Sequence, residues 1–500
     1  MFENLAYGFL IALKPTNLIY AVIGVFLGTI VGVLPGIGPP TTIALLLPLT
    51  YGIELTPAII MLAGIFYGAM YGGSTTSILV NLPGEAASVV TTFDGYQMAK
   101  QGRAGAALAI AAIGSFVAGT ISVVGLTALS QPLSEVALRF GPPEYFGLTL
   151  LGLTLVSYLA SGSMVRGLLM ALLGLFLGLI GMDPVQGTRR FTFGILELND
   201  GLDFVPITMG LFGIGEVLYN LAVKEEFAEV LKATIDWGRN LREVLQTKWA
   251  ILRGTLVGFF VGILPGGGAI VSSLLSYAVE KRVARDPSRF GKGAPEGVAG
   301  PESANNAAAT SSMIPLLLLG VPGNASTALI LAALLIHGVR PGPFLLQDHP
   351  DLFWGVVASM YIGNVLLLVM NLPLVNVFVQ LLRIPYRFLA VLIVLLSIVG
   401  SYSVNNSIFD VWILLLFGIL GFLFRILKFD VGPLIIAFVL GPIVELSLRQ
   451  SLIMSRGSLG IFLIRPAAAI FLLAAVVILM TQVIQAFWRV LVKAPMHQRG

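Results

Sequence analysis

The sequence predicts an all-α polytopic membrane protein of about 12 transmembrane helices, built as two homologous halves that each carry two discontinuous or re-entrant helices. Three observations predict it. First, the 500 residues are 57% hydrophobic and only 11% charged, and mean hydropathy is +0.94; a soluble domain carries about 25% charged residues. Second, long stretches hold no charge or histidine: all residues between Lys14 and Glu54, then Leu55–Gly84, Ala104–Ser134, Gly254–Val279, Ser303–Ile336 and Leu352–Leu382. Each exceeds the roughly 20 apolar residues that a bilayer crossing needs. Third, one motif occurs twice. Gly24, Gly28, Gly32, Leu34, Pro35, Gly36 and Gly38 return as Gly254, Gly258, Gly262, Leu264, Pro265, Gly266 and Gly268, every pair 230 apart (265 minus 35). Strictly alternating strands of barrel length are absent, which argues against an outer-membrane barrel.

Taken in order, the N-terminal MFENLAYGFLIALKP lacks a basic leader and a small-residue cleavage site, so it reads as an interfacial helix of the mature chain. Apolar spans are expected at 18–47 (broken), 57–82 (broken near its end), 104–130, 145–161, 164–182 and 204–223. A polar, amphipathic linker at 224–249 separates the halves 1–223 and 250–490. The second half offers spans at 250–278 (broken), 303–336 (broken), 352–382, 386–404, 410–427, 431–447 and 462–488, and 491–500 forms a polar tail. Six spans before the second copy would make the repeats parallel. Two discontinuous segments per half favour an inverted arrangement, as in inverted-repeat transporters.

Composition excludes several functions. There is no cysteine, so disulfides, thiolate metal sites and cysteine nucleophiles are out. The net charge is only +4; its basic residues gather in loops such as Lys281–Lys292, the pattern of a cytoplasmic loop. No basic face with interleaved stacking residues suggests nucleic acid. His337 and His349 lack neighbouring ligands, so neither a metal site nor a hydrolytic triad can be assembled, and a membrane enzyme is disfavoured. No cofactor is expected.

The Pro-Gly breaks are the first candidate site. Proline removes a donor, and glycine lets a ligand approach the backbone. The helix that restarts after each break presents N–H groups and a dipole that favour an anion. Pro35, Gly36, Ile37 and Gly38, with Thr41 and Thr42 beyond, are expected to bind substrate. Pro265, Gly266, Gly267 and Gly268, with Ser272 and Ser273, are expected to do the same. The glycines before each proline read as helix-packing residues. Neither copy ends in Gly-Lys-Ser/Thr, so a phosphate loop is excluded.

A second landmark follows in each half. Ser74, Thr75, Thr76 and Ser77 lead to Asn81, Pro83, Gly84 and Glu85; Thr310, Ser311 and Ser312 lead to Pro322, Gly323 and Asn324. Pro83 and Pro322 differ by 239. Hydroxyl and amide oxygens and freed carbonyls suit an alkali cation; the same groups as donors suit a carboxylate. The bland reading is hydroxyls bonding back onto their own helix. Glu302, Asn305 and Asn306 precede the second cluster. A buried acid in a membrane helix is costly and functional by default, so Glu302 is expected to take a proton or coordinate a coupling ion, or else to cap the helix after it. Glu216, inside LFGIGEVL, reads as a membrane-edge residue.

These motifs resemble the large membrane subunit of the tripartite tricarboxylate transporters. The resemblance rests on GTIVGVLPGIGPPTTIALLLPLTYG, YGGSTTSILVNLPGEAASVVTTFDGYQMAKQGRAGAAL, GLFGIGEVL, GILPGGGAIVSSLLSYAVEKR and GPESANNAAATSSMIPLLLLGVPGNASTALILAAL. It implies a secondary transporter of the bacterial inner membrane that works with a small four-span membrane subunit and a periplasmic solute-binding protein. The implied substrate is citrate or another tricarboxylate or small carboxylate, taken up with a Na⁺ or H⁺ gradient. The alternative is a channel or exporter for small organic anions. On the transporter reading, the N–H groups after the PGIG and PGGG breaks hold substrate carboxylates, and the groups around Thr75, Asn81, Thr310 and Asn324 hold the cation.

Overall fold

The structure, a computed structural model, describes residues 2–34, 37–160, 163–183, 185–223, 231, 237–381 and 385–493. Pro35 and Gly36 of the first break lie outside these residues, as do most of the 224–249 linker before position 237 and the tail beyond 493.

Helices α1 (Phe2–Ala12) and α2 (Pro15–Val33) open the chain. After the first break come α3 (Pro39–Leu46), a 3₁₀ turn (Leu47–Gly52) and α4 (Leu55–Val80). A second 3₁₀ turn (Ala86–Ser88) leads to α5 (Val89–Met98), which a π-helical turn joins to α6 (Ala104–Ala137). Next are α7 (Pro142–Leu159), α8 (Met164–Leu177) and a small hairpin of β1 (Gly181–Met182) and β2 (Arg189–Arg190). A π-helical segment splices α9 (Phe204–Thr208) to α10 (Gly215–Ala222). Then follow α11 (Trp237–Gln246), α12 (Lys248–Ile263), α13 (Gly268–Val283), α14 (Glu296–Ser311), α15 (Met313–Leu319) and α16 (Ala325–Ile336). The rest is α17 (Leu345–Asp348), α18 (Pro350–Asn371), α19 (Val375–Leu381), α20 (Tyr386–Asn405), α21 (Ile408–Ile426), α22 (Gly432–Met454), α23 (Ile461–Ile464) and α24 (Pro466–Lys493). Several helices start on proline, whose missing N–H would have no partner in a first turn anyway.

Among the described residues, eight helical segments are long and apolar enough to cross a membrane: Pro15–Val33, Leu55–Val80, Ala86–Ala137, Phe204–Ala222, Pro350–Asn371, Tyr386–Asn405, Ile408–Ile426 and Gly432–Met454. Three more apolar helices are shorter: Met164–Leu177, Ala325–Ile336 and Pro466–Thr481. The difference from about 12 arises partly at the breaks, which cut apolar runs into arms too short to span alone.

The chain forms two compact units, Met1–Leu138 with Leu202–Leu427, and Arg139–Gly201 with Lys428–Gly500. Each draws on both sequence halves. In the second unit α22 packs on α7 and α8, and the hairpin is pinned by ions: Arg190 meets Glu445 at 2.8 Å, and Arg449 meets Asp183 at 2.8 Å and Glu445 at 2.7 Å. The Gln186 and Val185 N–H groups, with Arg449, hold the Asp183 carboxyl down at about 2.

In the first unit two helix pairs pack by glycine. Gly24, Gly28 and Gly32 on α2 lie against the carbonyls of Met61, Ile65 and Ala69 on α4, where any Cβ would collide. Gly254, Gly258 and Gly262 on α12 lie the same way against Gly300, Ala304 and Ala308 on α14. The facing positions, such as Met61 and Gly300, are 239 apart (300 minus 61), the same offset as Pro83 and Pro322. Close backbone approach is what small residues provide where no hydrophobic force drives helices together.

Candidate functional site

The broken segments pack on one another. In the second half, the Gly266 N–H donates to the Gly323 carbonyl at 2.8 Å, so the two breaks are directly bonded. In the first half, Gly84 lies so close to the Gly32 carbonyl that a Cβ there would collide. The restarted helices then cross between halves: α3 packs on α16, and α13 packs on the 3₁₀ turn Ala86–Ser88. Gly266 has φ +80° and Gly268 φ +48°, a left-handed backbone that glycine adopts without strain. Asn81 (φ 60°) and Gly320 (φ 69°) end α4 and α15 in that same conformation, and they too are 239 apart (320 minus 81). Asn81 therefore corresponds to Gly320 as a helix end, not to Asn324 as an amide ligand.

Hydroxyls expected to face substrate are spent on backbone. Thr42 donates to the Gly38 carbonyl (3.3 Å), and Ser272 to that of Gly268 (2.8 Å), four residues back in each case. Thr41 donates to the Phe212 carbonyl (3.2 Å), Ser273 to that of Pro301 (3.1 Å) and Thr76 to that of Gly73 (3.1 Å). Ile37 is buried and Gly38 caps α3. The two restarted helices also differ as anion sites. Pro39 and Pro40 open α3 without N–H groups, whereas Gly268, Ala269 and Ile270 open α13 with three. Gly267 is wedged against the Val261 carbonyl, beside Pro265.

Asn324 and Glu85 do the same local job. Asn324 caps α16, accepting from the Thr327 N–H at 3.0 Å while its own N–H donates to Thr327 Oγ1 at 3.0 Å. Glu85 accepts from the Ala87 N–H at 2.6 Å and donates its N–H to Ser88 Oγ at 3.4 Å. Such reciprocal caps satisfy orphan donors at a helix start. Asn324 is thereby committed to a cap. Glu85, in addition, accepts from Asn305 Nδ2 at 3.1 Å.

That contact belongs to a buried polar cluster between α4, α5, α6 and α14. Glu302 sits in the middle of α14, so it does not cap a helix. Its carboxyl accepts from Ser74 Oγ at 2.5 Å and from Thr91 Oγ1. Asn306 Nδ2 donates to Ser115 Oγ at 2.6 Å and to the Glu302 carbonyl at 3.1 Å. Asn305 Oδ1 is buried and accepts from nothing among the described residues. Neither Glu85 nor Glu302 meets a cationic side chain among those residues. A narrow cavity of about one water's size opens beside Ser74, lined also by Tyr71, Thr75 and Ser115.

The structure thus joins Ser74, Glu85, Glu302, Asn305 and Asn306, and places Thr75 on the adjoining cavity. It leaves out Asn81, which is exposed, and Asn324. Thr310 is buried on α14, and Ser311 bonds back to the Ala308 carbonyl at 3.4 Å and fills the gap over Gly262. Pro83 precedes the packed Gly84, and Pro322 is buried before Gly323. Three residues escaped sequence reasoning. Thr91 and Ser115 carried no signal beyond an ordinary hydroxyl in an apolar helix. Asp94 was visible as an acid beside the second break. It is fully buried: its Oδ1 accepts from the N–H groups of Gly291 (2.9 Å), Gly293 (2.8 Å) and Ala294 (2.8 Å), and its Oδ2 from Tyr277 Oη (2.9 Å). It locks the loop ahead of α14. Glu216, expected at a membrane edge, is buried and ion-paired with Arg425, which also lies over the Tyr219 ring.

Discontinuous apolar helices packed around a buried acidic cluster define a polytopic membrane protein of the transport class. The chain belongs to the tripartite tricarboxylate transporter TctA family, which matches residues 18–436. It is 48% identical over 481 residues, 96% of each chain, to an uncharacterized 52.8 kDa protein in the TAR-I ttuC′ 3′ region of Agrobacterium vitis. It is 49% identical over 212 residues to an uncharacterized protein in the TAR-II ttuC′ 3′ region of the same organism, covering 42% of this chain and 88% of that one. No solved structure matches it.

Proposed function

We propose that this protein is the large membrane subunit of a secondary active uptake system in the bacterial inner membrane. It takes up a tricarboxylate such as citrate, or another small carboxylate, using a Na⁺ or H⁺ gradient. A periplasmic binding protein delivers the substrate, and a small four-span subunit completes the membrane part. The observation that carries this reading is the meeting of the breaks, the Gly266–Gly323 hydrogen bond above all, because non-helical backbone at membrane depth is tolerated where it is buried in protein or lines a cavity.

The chemistry follows from the donors. With two prolines at the start of α3, the substrate carboxylate is held chiefly by the N–H groups that open α13. No lysine or arginine lies in the motifs Gly32–Thr42 or Gly262–Ser273, so a multiply charged acid needs a co-transported cation for neutrality. Movement of one part against the rest then exposes the site alternately to each side.

The test is uptake of labelled citrate into proteoliposomes that contain the three components, under an imposed cation gradient. Accumulation above the outside concentration is expected. Mere equilibration would make the protein a channel, and this reading would fall.

A further inference from the structure

We propose that Glu302 is the proton carrier of this transporter and that Glu85 is the fixed anion beside it. Coupling to transport rests on the function proposed above; the assignment of the proton rests on the cluster alone.

The two carboxyls have different kinds of partner. Glu85 is held by a backbone N–H from Ala87 and by Asn305 Nδ2. The Ala87 N–H can only donate, which suits a carboxylate that stays ionised, while the Asn305 amide carries both a donor and an acceptor and fits either state. Glu302 is held by the Ser74 and Thr91 hydroxyls. A hydroxyl donates to a carboxylate and, turned about its C–O bond, accepts from a carboxylic acid. Glu302 can therefore gain or lose a proton with no change in its neighbours beyond the rotation of one hydroxyl.

Among the described residues the cluster is also short of positive charge. Asn305 turns its Nδ2 to Glu85 while its Oδ1, on the same amide, is buried without a donor. Among the described residues, the helices packed on α14 bring no cation to the cluster. From α4 comes Tyr71, whose hydroxyl donates to the Ala112 carbonyl at 2.9 Å. Glu85 precedes the 3₁₀ turn. Asp94, on α5, is consumed by the 291–294 loop. Glu280, on α13, is paired with Arg253 of α12. The α6 segment facing the cluster contributes Ser115, and α15 contributes no ionisable group. Two buried carboxylates with no cation would be strongly unfavourable. One proton, forming an O–H on Glu302, reduces the pair from two negative charges to one. The cavity of about one water's size beside Ser74 adjoins one of the two hydroxyl partners of Glu302.

Infrared spectroscopy of the purified full chain in detergent reads this directly, through the C=O stretch of a protonated buried carboxyl. At neutral pH the wild type should show the band and Glu302→Gln should lose it, while Glu85→Gln, which removes the neighbouring negative charge, should make the band disappear at lower pH than in the wild type. A band retained in Glu302→Gln, or one that persists to higher pH in Glu85→Gln than in the wild type, overturns the assignment. So does a wild-type spectrum that lacks the band, or one whose band disappears when Na⁺ replaces choline. If Glu302→Gln does not fold, the double variant Ser74→Ala with Thr91→Val must shift the band, and an unshifted band overturns the assignment equally. The spectrum does not depend on substrate, so a failure of citrate uptake would sink the transport reading without touching this one.

Discussion

Glu280 and Glu302 stand on neighbouring helices, α13 and α14, and each is 1% exposed. Their partners differ completely. Arg253 grips Glu280 with two nitrogens, Nε to Oε1 at 2.8 Å and Nη2 to Oε2 at 2.5 Å, the bidentate geometry of a strong charge-assisted pair. Glu302 has two hydroxyls and, among the described residues, no cation. The same contrast recurs: Asp183 and Glu445 have Arg190 and Arg449, and Glu216 has Arg425. Where an acid serves architecture, this chain supplies an arginine or, at Asp94, a nest of fixed N–H donors. At Glu302 it supplies partners that fit either protonation state.

The largest expected effect lies outside both acids. Gly266→Val puts a β-branched residue at φ +80°, which is strongly disfavoured, and disturbs the bond between the two breaks. Uptake of labelled citrate into proteoliposomes should be abolished while the chain still inserts in the membrane; normal uptake would remove the breaks from the mechanism. Next comes Glu280→Gln. Arg253 is partly exposed and so partly rescued by water; the variant should lose about 2 kcal/mol, read as a lower thermal midpoint. Asp94→Asn should cost about 1–2 kcal/mol, concentrated in faster amide exchange of residues 291–294; uniform exchange across the chain would contradict the lock. The smallest effect is expected from Ser74→Ala, which removes one of two hydroxyls from Glu302 and should displace the pH profile of uptake without abolishing it.

Much of this was legible in the sequence. The glycine stripes before each break pack helices, as their spacing of four requires. Glu302, Asn305 and Asn306 stood out because polar side chains are rare in apolar runs. Other features were hidden for physical reasons. Pro301 looked like the boundary before a helix, yet α14 runs through it from Glu296, with Ser273 donating to its carbonyl. The hydroxyl groups at 74–77 and 310–312 looked equivalent in order along the chain. The packing register of 239 instead sets Ser74 against Met313 and Thr310 against Tyr71, so they lie at different levels. Whether a threonine bonds back to its own helix, as Thr42 does, or reaches across to an acid, as Thr91 does, depends on what packs opposite. That information is absent from local sequence.

The account turns on Glu302 being held neutral while Glu280 is held charged, and parallel thermal unfolding of Glu302→Gln and Glu280→Gln at neutral pH tests it most directly. Glutamine is close in shape to a protonated glutamate, so Glu302→Gln should lie within about 1 kcal/mol of the wild type while Glu280→Gln unfolds at clearly lower temperature. An equal loss in both variants would mean that Glu302 is an ordinary buried anion, and would contradict the account.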